Sequence, residues 1–160
     1  MYSDTDTIVA LSTPFGESAI GIVRLSGNEA FSIINKFFSP KNRKRFNQKN
    51  NFTIHYGYIA DKKVLIDEVL VYIMKAPYTY TREDIVEISC HGGPITQDKI
   101  LQLCLSKGAR MAQPGEFTKR AFLNGRLDLV QAEAVCDIIR AQTSSALNYA
   151  LAQLEGGLSA

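Results

Sequence analysis

Two residues of opposite charge lie within short apolar segments, where a buried charge needs a partner. Arg24 belongs to the segment from Ile20 to Leu25, and Glu87 belongs to the segment from Ile85 to Cys90. Both segments are rich in β-branched residues and are predicted as strands, with alternate residues on opposite faces. A carboxylate in such a strand needs a cation or N–H donors if it is buried. The residues alone leave two interpretations of Arg24 open: it emerges at an edge of the sheet, or it is held over a polar pocket.

A third charged residue, Arg126, is predicted to lie at a corner between two helices. Asn124-Gly125 is typical of the end of a helix, and Asp128 is suited to cap the next helix, with Gln131 completing a capping box. A guanidinium at such a corner can be aimed at a group outside its own helix. It can also pair with a carboxylate such as Asp128 and only brace the corner, and the residues alone leave both interpretations open.

Cys90 and His91 are neighbours, a pair that suggests a thiolate nucleophile. Successive residues of a strand point to opposite faces, however, and no acid is evident that would orient the histidine. We therefore predict no catalytic residue at this position. Gly92-Gly93 and a predicted helix follow, and this arrangement either presents backbone N–H groups to an anion or simply allows a tight turn.

A nucleotide-binding signature is absent from the sequence. Gly16 and Gly21 have the spacing of the first half of a phosphate-binding loop, but Ile22-Val23 stands where lysine and serine or threonine would complete it. This chain is therefore not expected to hydrolyse GTP by itself.

The stretch from residue 40 to 51 is basic and contains no acid. Its cations are Lys41, Arg43, Lys44, Arg45 and Lys49. Such a run is either a solvated loop or a weak, salt-sensitive contact to phosphate, for example that of tRNA.

Periodicity predicts strands before residue 113 and only helices after it. The alternation from residue 52 to 60 predicts a strand with His55 on a polar, solvent-exposed face. A helix is predicted from Ser26-Gly27-Asn28 to about Phe38, and Cys104 and Cys136 are predicted to be buried on apolar helical positions. Further helices are predicted over residues 95–107, 116–123, 129–140 and 144–154.

The composition fits a globular chain of one domain and part of another. The 160 residues are 46% hydrophobic and 21% charged. A net charge of +2 permits contact with RNA but lacks the strongly basic balance of a dedicated nucleic-acid-binding protein. Three cysteines without close spacing indicate a reducing compartment. Since no apolar run approaches membrane-spanning length and the first residues are acidic, we expect a cytoplasmic protein.

Several stretches together resemble the N-terminal domain of the bacterial tRNA-modifying GTPases of the MnmE or TrmE family. They follow the order of the family and cover nearly the whole chain, except residues 39–51. The matching stretches are Asp6–Ala10, Thr13–Gly16, Gly21–Gly27, Tyr80–Ile88, His91–Pro94, Gln113–Leu129 and Leu129–Ser159.

The resemblance implies an α+β fold, in which a mixed β-sheet with packed helices is similar to the folate-binding domains of one-carbon enzymes and is followed by a helical stub. It implies a tetrahydrofolate-binding and dimerisation domain at residues 1–118 and the beginning of a central helical domain at 119–160. The positions matching the family's folate contacts are Arg24, Glu87 and Arg126. The implied cofactor is a 5-formyl or 5,10-methylene tetrahydrofolate, and no catalytic residue or metal ligand is implied in this segment.

For the complete protein, the resemblance implies a homodimer that works with the flavoprotein MnmG and has no membrane contact. It would place a carboxymethylaminomethyl or aminomethyl group on carbon 5 of the wobble uridine of certain tRNAs. GTP, potassium and magnesium would bind in a GTPase domain that is absent from this sequence. Two alternatives remain: an RNA-binding module that uses the basic run and has no folate site, and a stand-alone folate-dependent transferase or thiol enzyme at Cys90-His91.

Overall fold

The chain folds into two compact units. The computed structural model describes residues 6–42 and 51–156, so most of the basic run lies outside the described residues. The first unit comprises residues up to Thr79 together with Glu83–Gln113. The second comprises Tyr80–Arg82 and the residues from Pro114 onward.

The first unit is built on a mixed sheet. Its strands, within the described residues, are β1 (Ile8–Leu11), β2 (Ser18–Ser26), β3 (Phe38–Pro40), β4 (Thr53–Asp61), β5 (Val64–Met74), β6 (Ile85–Gly92) and β7 (Arg110–Met111). They are ordered β3-β4-β5-β6-β2-β1-β7, and only β1 and β7 pair in parallel. The predicted α+β class with a mixed sheet is confirmed.

Two helices, α1 (Ala30–Asn35) and α2 (Pro94–Ser106), pack against one face of this sheet. The strands present alternate, mostly β-branched residues to them, as the two-residue period requires. The central positions of this helix-covered face are completely or almost completely buried. They are Val9, Val23, Leu25, Val71, Ile73, Val86 and Ile88.

The first helix is shorter than its apolar periodicity predicts. It ends at Asn35, and Phe38 begins β3 instead of closing the helix. Phe38 pairs with Ile59 of β4, and the carbonyl of Phe37 accepts a hydrogen bond from the N–H of Ala60 at 3.1 Å. Both phenylalanines are buried, so their apolar character is consistent with either conformation, and the cross-strand hydrogen bonds decide between them.

The prediction that His55 is solvent-exposed is wrong. His55 is buried and pairs across strands with Val71, which places it on the helix-covered face. On the same side of β4, a Cβ at Gly57 would lie 2.7 Å from the ring of Phe38. The large apolar residues that alternate along β4 therefore lie on the side of the sheet away from the helices. The helix-covered side needs a small residue next to Phe38.

The second unit contains α3 (Glu116–Leu123), α4 (Leu129–Arg140) and α5 (Ser144–Leu154), at the predicted bounds. The predicted capping box is present: Asp128 Oδ1 accepts from Gln131 N at 2.8 Å, and Gln131 Oε1 accepts from Asp128 N at 3.0 Å. Of the residues of α4, only Ala134 is buried.

The prediction that Cys136 is buried is wrong, whereas Cys104 is buried as predicted. Cys136 lies two positions after the buried Ala134, which is about half a helical turn. The cysteine therefore lies on another side of α4. None of the helices formed by residues 6–42 and 51–156 is long and apolar enough to cross a membrane.

Candidate functional site

Arg24 and Glu87 form an ion pair between neighbouring strands. They are cross-strand partners of β2 and β6, and Arg24 Nε donates to Glu87 Oε1 at 2.7 Å. The two side chains are 29% and 21% exposed, so the pair is half-buried but remains reachable from solvent. A charge-assisted hydrogen bond of this length holds both groups in place.

The pair lies on the face of the sheet that points away from α1 and α2, which we call the open face. Around the pair this face carries two rows of cross-strand partners, Arg24, Glu87, Tyr72 and Ile54 in one row and Ile22, Ser89, Leu70 and Tyr56 in the next. In the row on the other side of the pair, Ser26 and Ile85 are buried. Directly opposed residues of an antiparallel pair lie on the same face and contact each other. The charged pair is therefore flanked by aliphatic and aromatic side chains.

Much of this apolar surface is exposed. Ile54 is 60% exposed and Tyr56 is 40% exposed. A surface that combines apolar side chains with a few placed polar groups is typical of a site that a ligand or another chain covers. The arrangement suits a flat ligand that offers paired N–H donors to a carboxylate and an apolar surface to its neighbours.

Arg126 belongs to the second unit and is exposed at the predicted corner after α3. Its guanidinium carbon lies 4.8 Å from the centre of the Tyr80 ring. Its backbone N–H donates to the carbonyl of Ala121 at 2.9 Å. The guanidinium thus lies over the ring of Tyr80, and Asp128 Oδ1 caps α4.

Cys90 and His91 point to opposite sides of β6, as predicted. Cys90 is buried, and its Sγ donates to the carbonyl of Gly21 at 3.3 Å. Burial, helped by the charge of Asp67, raises the pKa of the Cys90 thiol to about 11. A thiol with such a pKa holds its proton at neutral pH, which argues against a thiolate nucleophile here.

Gly92, the last residue of β6, allows a close approach of the backbone, and Gly93 follows it at the start of α2. Gly92 is buried, and a Cβ on it would collide with Ser18 of β2. Gly93 is the N-cap of α2 and offers no side-chain cap. The requirement for glycine at position 92 therefore has a steric cause in the structure.

Sequence reasoning missed two residues that contact the predicted sites, Asp67 and Tyr80. Asp67 accepts from the backbone N–H of His91 at 2.8 Å and contacts its Nδ1 at 2.6 Å, which raises the pKa of His91. Tyr80 carries the guanidinium of Arg126. An acid inside the apolar run of β5 was the available signal for Asp67.

In the parts of the chain that the structure describes, no three His, Cys, Asp or Glu side chains gather as a metal site would require.

Fold and site together define an α+β sheet domain that carries a charged pair on an apolar open face and is followed by helices. The family model described as "GTP-binding protein TrmE N-terminus" matches residues 7–126. The chain therefore belongs to the MnmE/TrmE family, in its N-terminal part.

Individual relatives agree with the family match. The chain is 57% identical over 157 residues to the tRNA modification GTPase MnmE of Bacillus subtilis (strain 168), covering 97% of this chain and 34% of that protein. It is 58% identical over 153 residues to the protein of that name from Streptococcus thermophilus (strain CNRZ 1066), covering 96% and 33%. The chain thus spans about a third of the length of the curated relatives it matches.

Proposed function

We propose that this chain is the N-terminal module of a tRNA-modifying GTPase and that it binds a tetrahydrofolate one-carbon donor. Arg24 and Glu87 would contact the ligand on the open face, and Arg126 would supply a further cation. The observation that carries the proposal is the half-buried Arg24–Glu87 pair among exposed apolar side chains. The same two residues match the family's folate contacts.

The chemistry of the ligand fits these residues. The amino group and ring N–H of a pterin are adjacent donors, and one carboxylate such as Glu87 can accept from both. Tyr72 and Ile54, in the same cross-strand row, offer apolar surface for a flat ring. The carbonyl and carboxylate groups of folate are acceptors for guanidinium donors such as Arg24 and Arg126.

The family match supports the proposal of a wider role. The relatives are named tRNA modification GTPases, and this chain spans about a third of their length. We propose a cytoplasmic homodimer that works with MnmG on the wobble uridine of certain tRNAs. GTP hydrolysis with potassium and magnesium would reside in a domain outside this sequence. Exposed apolar residues on the open face and in the second unit, such as Ile54 and Ile139, support further packing partners.

The test is a calorimetric titration of the chain with 5-formyltetrahydrofolate. We expect the wild type to bind and Glu87→Gln to lose about 2 kcal/mol or more of binding free energy, since a charge-assisted pair to the ligand is broken. Arg24→Ala should lose a similar amount. Glu133→Gln, which changes an exposed acid on α4, is the matched control and should bind as the wild type does.

Two other results would contradict the proposal. A folded wild type that ignores folate but binds RNA with steep salt dependence would contradict the proposal and favour the RNA-binding alternative. Turnover without a partner protein, lost in Cys90→Ala, would favour the thiol enzyme instead.

A further inference from the structure

Residues 80–82 contact the turn between α3 and α4 in which Arg126 lies, although they precede Arg126 by more than 40 positions in the chain. Asn124 Nδ2 donates to the carbonyl of Thr81 at 2.6 Å. Arg82 Nη1 donates to the carbonyl of Asn124 at 3.1 Å. These two hydrogen bonds connect the chain next to Tyr80 with the chain next to Arg126.

The ring of Tyr80 is anchored at its far end. Its hydroxyl lies 2.9 Å from Thr118 Oγ1 on α3, where either oxygen can donate. The backbone of Arg126 is fixed to the same helix through the carbonyl of Ala121. The ring and the start of the arginine side chain are therefore both fixed to α3.

An aromatic ring beneath the guanidinium can order an exposed arginine before a ligand binds. An exposed arginine has many rotamers, and ordering it on binding lowers affinity. A guanidinium that stacks through its face on a ring loses rotamers while its N–H groups still point outward in its plane, where they can meet carbonyl or carboxylate oxygens.

We propose that Tyr80 is a positioning residue for Arg126, and that Thr118 holds the Tyr80 ring for this purpose. The role of the stack in folate affinity rests on the proposed function above. The stack itself does not, so the two can be tested separately.

The first measurement is the NMR spectrum of the wild-type chain, with Arg126 assigned by comparison with Arg126→Lys. We expect the δ protons of Arg126 to be shifted upfield by the ring current of Tyr80. Random-coil shifts for these protons would overturn the proposal. The shift is read in the wild-type chain, so the result holds even if a Tyr80 variant does not fold or if the chain binds no folate.

The second measurement is a binding cycle with 5-formyltetrahydrofolate. Tyr80→Leu should weaken binding about two- to tenfold, the effect of releasing one ordered long side chain. Tyr80→Phe keeps the ring but loses the contact with Thr118, so we expect a smaller upfield shift and an affinity between those of the wild type and Tyr80→Leu. Wild-type values for both readouts would contradict the proposed role of Thr118. Tyr78→Leu, which removes an exposed ring two residues away, is the matched control and should change neither readout.

The decisive comparison is Tyr80→Leu in an Arg126→Ala background. We expect no further loss of affinity there, because the residue to be positioned is gone. An equal loss in both backgrounds would mean that Tyr80 acts on the ligand or the fold directly, and would overturn the proposal.

Discussion

The two faces of the sheet in the first unit use the same strands for different purposes. On β2, Val23 and Leu25 point to the helices and are completely buried, whereas Ile22 and Arg24 point to the open face. On β6, Val86 and Ile88 are buried, and Glu87 meets Arg24. Around the Arg24–Glu87 pair, period-two alternation thus separates residues that stabilise the fold from those that can meet a ligand, whereas Ile85, on the same side of β6 as Glu87, is also buried. Substitutions on the two faces should therefore have separable effects.

The largest effect is expected on the helix-covered face. Ile88→Ala should lower the free energy of unfolding by about 2–5 kcal/mol, because it leaves a cavity in a fully buried position. Urea denaturation measures this change. Ser89→Ala, the next residue and on the open face, is the control and should stay within about 0.5 kcal/mol of the wild type. Equal losses for both variants would break the distinction between the faces.

On the open face, breaking the ion pair should affect stability less than binding. Glu87→Gln is expected to lower the free energy of unfolding by about 1 kcal/mol, since the pair is partly exposed and screened by solvent. The folate titration of the same variant should show the larger loss. If stability falls by more than binding does, Glu87 is a structural residue.

A smaller effect is expected for the exposed apolar residues of the open face. Ile54→Ser should change the free energy of unfolding by no more than about 0.5 kcal/mol, because the side chain is already largely in water. If a second copy of the chain covers this face, sedimentation should show weaker self-association. A strong destabilisation of the monomer would mean that the open face belongs to the core.

The smallest effects concern pH, and the two histidines should act in opposite directions. Burial lowers the pKa of His55 from its ordinary value of 6.5, so its contribution is present above pH 6.5 and is lost as the pH falls below it. The contact with Asp67 raises the pKa of His91, so its contribution is present below pH 6.5 and is lost as the pH rises through the raised value.

Single variants separate the two histidine contributions. In His91→Asn, stability measured by urea denaturation between about pH 5.5 and 8 should rise with pH, as His55 alone dictates. In His55→Asn it should fall with pH. The same slope in both variants would show that neither histidine controls this range. The test also compares the faces, since His55 lies on the covered face and His91 on the open face.

Some features of the candidate site can be read from the sequence, whereas others depend on contacts between residues that are far apart in the chain. Arg24 and Glu87 were identified through the family resemblance, and their strands through apolar runs. Their mutual contact depends on the register of β2 against β6, which connects residues 63 positions apart. Tyr80 could not be assigned to Arg126 from sequence, because no local pattern links them.

The amino-acid sequence by itself determined the α+β class, the family, and the bounds of α3, α4 and α5. Those bounds depend on caps such as Asp128 with Gln131, which act over a few residues and are readable locally. Only the tertiary structure decided the end of α1, the burial of His55 and the exposure of Cys136. Each of these depends on which residues of other elements pack against the position, and a local sequence pattern does not specify those residues.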